Sequence, residues 1–104
     1  MNKLFQWVFK PQGTNLVQAE GYFLGYFFYF RATNVFATIE FFHSKYDFDR
    51  EGGVNILKGY IVKNRNNYDA TQLSKEESYF LIFKGCVRFL FCEIIPQWVS
   101  PLSR

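Results

Sequence analysis

The sequence predicts an α+β fold: a small antiparallel sheet of three to four strands, with a long C-terminal helix packed on one face. Three observations predict it. Two runs rich in aromatic and β-branched residues, GYFLGYFFYF and NVFATIEFFHS, flank an Ala32-Thr33-Asn34 turn. VNILKGYIVKN (54–64) reads as a further strand. The segment SKEE opens a capping box at Ser74, with Glu77 three residues on, and an apolar run continues from it to Pro96. The length of 104 residues fits one domain spanning 1–104.

Residues 3–10 form a short helix or strand, stopped by Pro11 and Gly13. TNLVQAE (14–20) is expected to make a short helical turn capped by Thr14 or Asn15. GYFLGYFFYFR (21–31) is read as one strand. Tyr22, Leu24, Tyr26, Phe28 and Phe30 then share one face, and Phe23, Gly25, Phe27, Tyr29 and Arg31 the other. In the second run Phe36, Thr38, Glu40 and Phe42 oppose Val35, Ala37, Ile39 and Phe41, and the latter face is fully apolar. DFDREGG (47–53) is a polar loop. In the next strand Val54, Ile56, Tyr60 and Val62 share a side with Lys58, and NRNNYDA is a turn-rich connection. A helix is predicted from Lys75 to Ile95, stopped by Pro96, with Lys84 and Arg88 on one side. The competing pattern is a hairpin turning at Lys84-Gly85, since Phe, Val and Ile favour strands. The cap and the proline stop favour the helix.

Hydrophobic residues are 49% and charged residues 20% of the chain, which excludes a disordered tail. Aromatics reach 22%, with 14 Phe and 7 Tyr, and Phe rather than Leu or Ala leads the apolar set. Phe, Tyr, Asn, Ile and Lys have AT-rich codons, so the composition fits an AT-rich genome; an organellar one fits well, and an AT-rich bacterium, phage or virus would leave the same mark, with the mitochondrion or another organelle as the expected location. The net charge is +3, but the twelve basic residues are scattered rather than clustered. The opening MNKLFQWVFKPQG does not read as a secretory signal, because Lys10-Pro11 interrupts a short apolar stretch.

Neither aromatic stretch reads as a membrane span. A spanning helix needs about 20 mostly apolar residues. Residues 21–42 place Arg31 mid-stretch, and residues 79–99 carry Lys84, Arg88, Glu93 and Pro96. Each central charge costs about 2.5–3.5 kcal/mol, and one Phe returns only a few tenths. Peripheral contact with a membrane through aromatics and flanking lysines is a further expectation.

Catalytic and metal-binding patterns are weak. His43 beside Ser44 is no triad, because neighbours on a strand point to opposite faces. Asp47, Asp49 and Glu51 alternate near two glycines but lack the distal Glu of an EF-hand loop. Cys86 and Cys92 lack a neighbouring His and fit two reduced thiols. No GxxxxGK[ST], GxGxxG, HExxH or CxxC occurs. No cofactor, metal or small-molecule substrate is expected.

Basic residues lie beside aromatic ones at Arg31, Lys58, Tyr60, Lys63, Arg65 and Tyr68. Single-stranded RNA is held by such sets, with bases on rings and phosphates on cations. Twenty-three aromatics also exceed what a domain of this size buries, so part of them should meet a partner. Phe23, Phe27 and Tyr29 are the expected interface.

Leu16-Val17-Gln18-Ala19-Glu20-Gly21-Tyr22-Phe23 resembles the second half of the LAGLIDADG motif of homing endonucleases. The resemblance implies a helix ending in an acid-Gly pair, with Glu20 holding a catalytic Mg²⁺ in a DNA-cleaving homodimer. Asn15 stands where that family carries glycine, and Pro11 with Gly13 shortens the helix. The leading expectation is therefore a non-enzymatic structural subunit of an organellar assembly, a mitochondrial ribosome or a respiratory complex. Its partners would be other protein subunits, with rRNA as a further contact.

Overall fold

The computed structural model describes residues 4–13, 16–33, 36–50, 56–64 and 75–99. Five strands form one antiparallel sheet in sequential order: β1 (Phe5–Gln12), β2 (Val17–Phe23), β3 (Tyr26–Ala32), β4 (Phe36–Phe42) and β5 (Lys58–Asn64). A short helix α1 (Lys45–Arg50) lies on one face. On the other face lies a C-terminal helix built from α2 (Lys75–Phe89), a π-helical turn (Leu90–Ile94) and α3 (Ile95–Val99). The α+β class stands, and the sheet has five strands, not three to four.

The additional strands come from the first 23 residues. TNLVQAE is not a helical turn: from Val17 the chain is strand, with Val17, Ala19 and Gly21 buried and Gln18, Glu20 and Tyr22 half-buried. That period of two lets β2 pair with β3 over its whole length, which outweighs the weak capping signal. β1 is an edge strand that carries Pro11 and irregular register, both devices that blunt an open edge.

GYFLGYFFYFR is not one strand either. It folds into a hairpin at Leu24-Gly25, where both residues have positive φ (51° and 88°), as a two-residue primed turn requires. Phe23 pairs with Tyr26 and Tyr22 with Phe27, so the turn inverts the expected faces of the N-terminal half. Phe23 now joins Tyr26, Phe28 and Phe30 on the α2 side. Tyr22, Phe27 and Tyr29 share the other side, where Tyr22 and Phe27 rings meet edge-on and Phe27 and Tyr29 meet Phe48. Gly21 is required here, since a Cβ would come within 2.8 Å of the Phe28 ring.

The core sits between sheet and helix. Phe28, Phe30, Ile39 and Phe41 meet Leu81, Ile82, Cys86 and Phe89. Phe41 and Phe89 stack at 4.1 Å with ring planes 4° apart. On β4 the apolar face of Ala37, Ile39 and Phe41 is buried as its alternation predicts. A bulge between Ala37 and Thr38 sets Lys63, as well as Val62, toward the helix layer. There Lys63 donates a 2.7 Å hydrogen bond to Glu77.

The DFDREGG segment is not all loop. Ser44 caps α1, its hydroxyl accepting from the Asp47 N–H at 3.2 Å, and Phe48 packs on Phe27, Tyr29 and Phe42. Helix α2 runs straight through Lys84-Gly85, so the hairpin alternative falls. Pro96 does not end the helix. The Ile95 N–H reaches back to the Leu90 carbonyl, and this wider π turn relieves the clash that a proline ring makes one turn upstream. Ser74, Val54, Asn55 and the NRNNYDA connection lie outside the described residues.

Candidate functional site: the outer face of the C-terminal helix

Helix α2 carries apolar side chains on both its core side and its outer side. At 3.6 residues per turn, Ser78, Leu81, Ile82, Gly85, Cys86 and Phe89 point into the core. The opposite side carries Glu76, Phe80, Phe83 and Lys84, all exposed, and the half-buried Val87. Phe91 continues this surface within the π turn. Phe80 is 60%, Phe83 65% and Phe91 62% exposed. A soluble monomer gains nothing from three phenyl rings held in water on one helix face.

This surface borders a groove of about 420 Å³ between α2 and the β1–β2 side of the sheet. Phe5, Trp7 and Phe23 form its sheet wall, and Tyr79, Phe83 and Cys86 its helix wall. Trp7 fixes both walls, meeting Phe5 at 4.9 Å and Tyr79 at 5.7 Å, each edge to face. Burial pushes the Cys86 thiol up to about 12, so it serves as apolar lining and not as a nucleophile.

The expected nucleic-acid residues do not converge. Tyr60 is buried in the core beneath the Arg88 guanidinium, which sits 4.7 Å from its ring, and burial pushes its hydroxyl up to about 12. Lys63 is engaged by Glu77, and Lys58 by Glu93 at 3.7 Å. Arg31 is exposed on the far side of the sheet, beside a shallow hollow formed with Leu16, Thr33 and Phe36. Arg65 and Tyr68 lie outside the described residues. Thus β5 directs three of the six, Lys58, Tyr60 and Lys63, toward the helix layer, while β3 sends Arg31 to the opposite face.

The expected interface is also split. Phe27 is fully buried under α1, so the chain itself covers it, and the Lys45 ammonium lies 5.2 Å from its ring. Tyr29 is half-buried against Phe48, and its hydroxyl accepts from Gln18 at 2.7 Å. Phe23 alone stands at a groove. The exposed ring set of α2 was hidden from sequence reasoning because apolar residues on two sides of a helix read the same whether one side or both are buried. The i, i+3, i+7 spacing of Phe80, Phe83 and Val87 was its legible signal.

Glu20 lies within β2, opposite Tyr29, and not at the end of a helix as the endonuclease resemblance implies. Its carboxylate accepts from Lys45 at 3.3 Å, and Lys45 also reaches Asp49 at 3.4 Å. Burial pulls the Lys45 ammonium down, but its bonds to Glu20 and Asp49 override this and hold its pKa above the ordinary value. Among the described residues no three His, Cys, Asp or Glu side chains cluster to hold a metal. Ser44 is a helix cap and His43 an exposed residue beside Tyr26. Among the described residues no helix is long and apolar enough to cross a membrane. No family model, curated protein or solved structure matches this chain.

Proposed function

We propose that this chain is a non-enzymatic structural subunit of a larger organellar assembly, and that it docks on neighbouring protein subunits through the outer face of α2. The carrying observation is the exposure of Phe80, Phe83 and Phe91 beside the Phe5–Trp7–Phe23 groove. Buried aromatics in a pocket and its rim are the usual anchors of protein interfaces. Protein is favoured over RNA as the main contact, because Lys58, Tyr60 and Lys63 are engaged within the fold. The AT-rich composition supports the organellar setting.

The test is gentle purification of the chain from its native source. It should migrate far above its 12.4 kDa mass, with other proteins and after nuclease treatment. A Phe80→Ser, Phe83→Ser double variant should lose those proteins while keeping its circular dichroism. Recovery of the native chain as a free monomer overturns the reading.

A further inference from the structure

The outer face of α2 has a charge order that reads the same for two antiparallel copies. Glu76, Phe80 and Lys84 lie on one i, i+4 row, all exposed. Neither Glu76 nor Lys84 has an ion-pair partner among the described residues. Turn a second copy of the row end for end about Phe80. Each Glu76 then faces the other copy's Lys84, and the two Phe80 rings meet at the axis. A two-fold interface needs such a self-complementary patch.

From this we infer that a second copy of this chain is the first partner of the α2 face, paired antiparallel about Phe80. The inference rests on the docking role proposed above and names its occupant. The charges also select the register. Sliding the helices to overlap Phe80 with Val87 would cover more apolar surface, but it would bring the two Lys84 ammonium groups together. Centring on Phe80 keeps opposite charges ~12 Å apart along each helix and matched across the pair. The exposed parts of Phe80, Phe83 and Tyr79, the rings within the overlap of the two helices, amount to on the order of 300 Å². That is less than half of the ~800 Å² that each side of a standard interface buries, so a weak, reversible dimer is expected. Such a dimer leaves the Phe5–Trp7–Phe23 wall for other subunits.

Sedimentation velocity on the purified full-length chain tests this. The wild type should form a concentration-dependent dimer. Glu76→Lys or Lys84→Glu alone should weaken it by about tenfold or more, because two attractions become two repulsions. The double variant Glu76→Lys/Lys84→Glu should restore it, which a merely structural role would not predict. Circular dichroism confirms that each variant is folded, and Phe80→Ser gives an independent loss of the dimer. A wild-type monomer, or a dimer that both single reversals leave intact, overturns the inference. A monomer that still co-purifies with other proteins removes the homodimer and keeps the assembly reading. A charge-swap-sensitive dimer with no other partner keeps the homodimer and removes the assembly reading.

Discussion

Gly85 of α2 rests directly on Ile39 of β4, with no room for a side chain between them. A Cβ at Gly85 would overlap the Ile39 Cγ2 methyl and lie 3.4 Å from its Cβ and Cδ1. This contact brings the helix backbone down to the sheet, and it explains why a helix-weakening residue sits in mid-helix.

Gly85→Ala should therefore destabilise the chain. Helix propensity favours the change by about 1 kcal/mol. Overpacking against a buried isoleucine costs about 1–3 kcal/mol, and the rigid sheet cannot yield cheaply. An overlap this deep falls in the upper half of that range, so the net loss in urea unfolding should be ~1–2 kcal/mol. In an Ile39→Ala background, the same Gly85→Ala change should stabilise, since it fills space and improves the helix. A single variant as stable as the wild type sinks this account.

Ser44→Ala should loosen α1 before anything else. The lost cap is worth ~1 kcal/mol, and a six-residue helix has no stability of its own to absorb that. Amide exchange over 45–50 should rise well before exchange in β3 and β4. Phe27 and Phe42, now covered by Phe48, should become accessible to a hydrophobic dye. Unchanged exchange over α1 would count against Phe48 and Ser44 as its two anchors.

Glu40 should make stability fall with rising pH. Burial holds its carboxyl above the ordinary value of 4.5, and the neighbouring Arg31 only partly offsets this. The folded state then binds the proton more tightly than the unfolded state. Its contribution is full below pH 4.5 and is lost as pH rises through the folded value. Glu40→Gln should remove this part of the pH dependence and raise stability at pH 7. Arg31→Met should enlarge it. Denaturation midpoints between pH 4 and pH 7 measure both; a Glu40→Gln curve parallel to the wild type would rule the effect out.

Period-two patterning made β4 legible, because Ala37, Ile39 and Phe41 alternate with Thr38 and Glu40. The apolar run from Tyr79 to Ile95 made the long helix legible, though not its end, since a π turn can carry a proline. The hairpin at Leu24-Gly25 was not legible. Leucine is a rare residue at positive φ, and only the pairing of Tyr22 with Phe27 and Gly21 with Phe28 holds it there. Helix α1 carried a signal in Ser44-Lys45-Tyr46-Asp47, outweighed in reading by the acidic, glycine-rich loop pattern.

Residue order alone sets the class, the β4 face, the long helix and the surplus of aromatic residues. Those follow from local periodicity and from total apolar content, which need no knowledge of neighbours. Which aromatics stay exposed was decided only by tertiary structure. Burial of any one ring depends on which element lies across from it: α1 covers Phe27, α2 covers Phe41, and no described element packs over Phe80, which stays 60% exposed. Long-range pairing likewise turned Glu20 and Lys63 from candidate site residues into ion-pair partners of Lys45 and Glu77.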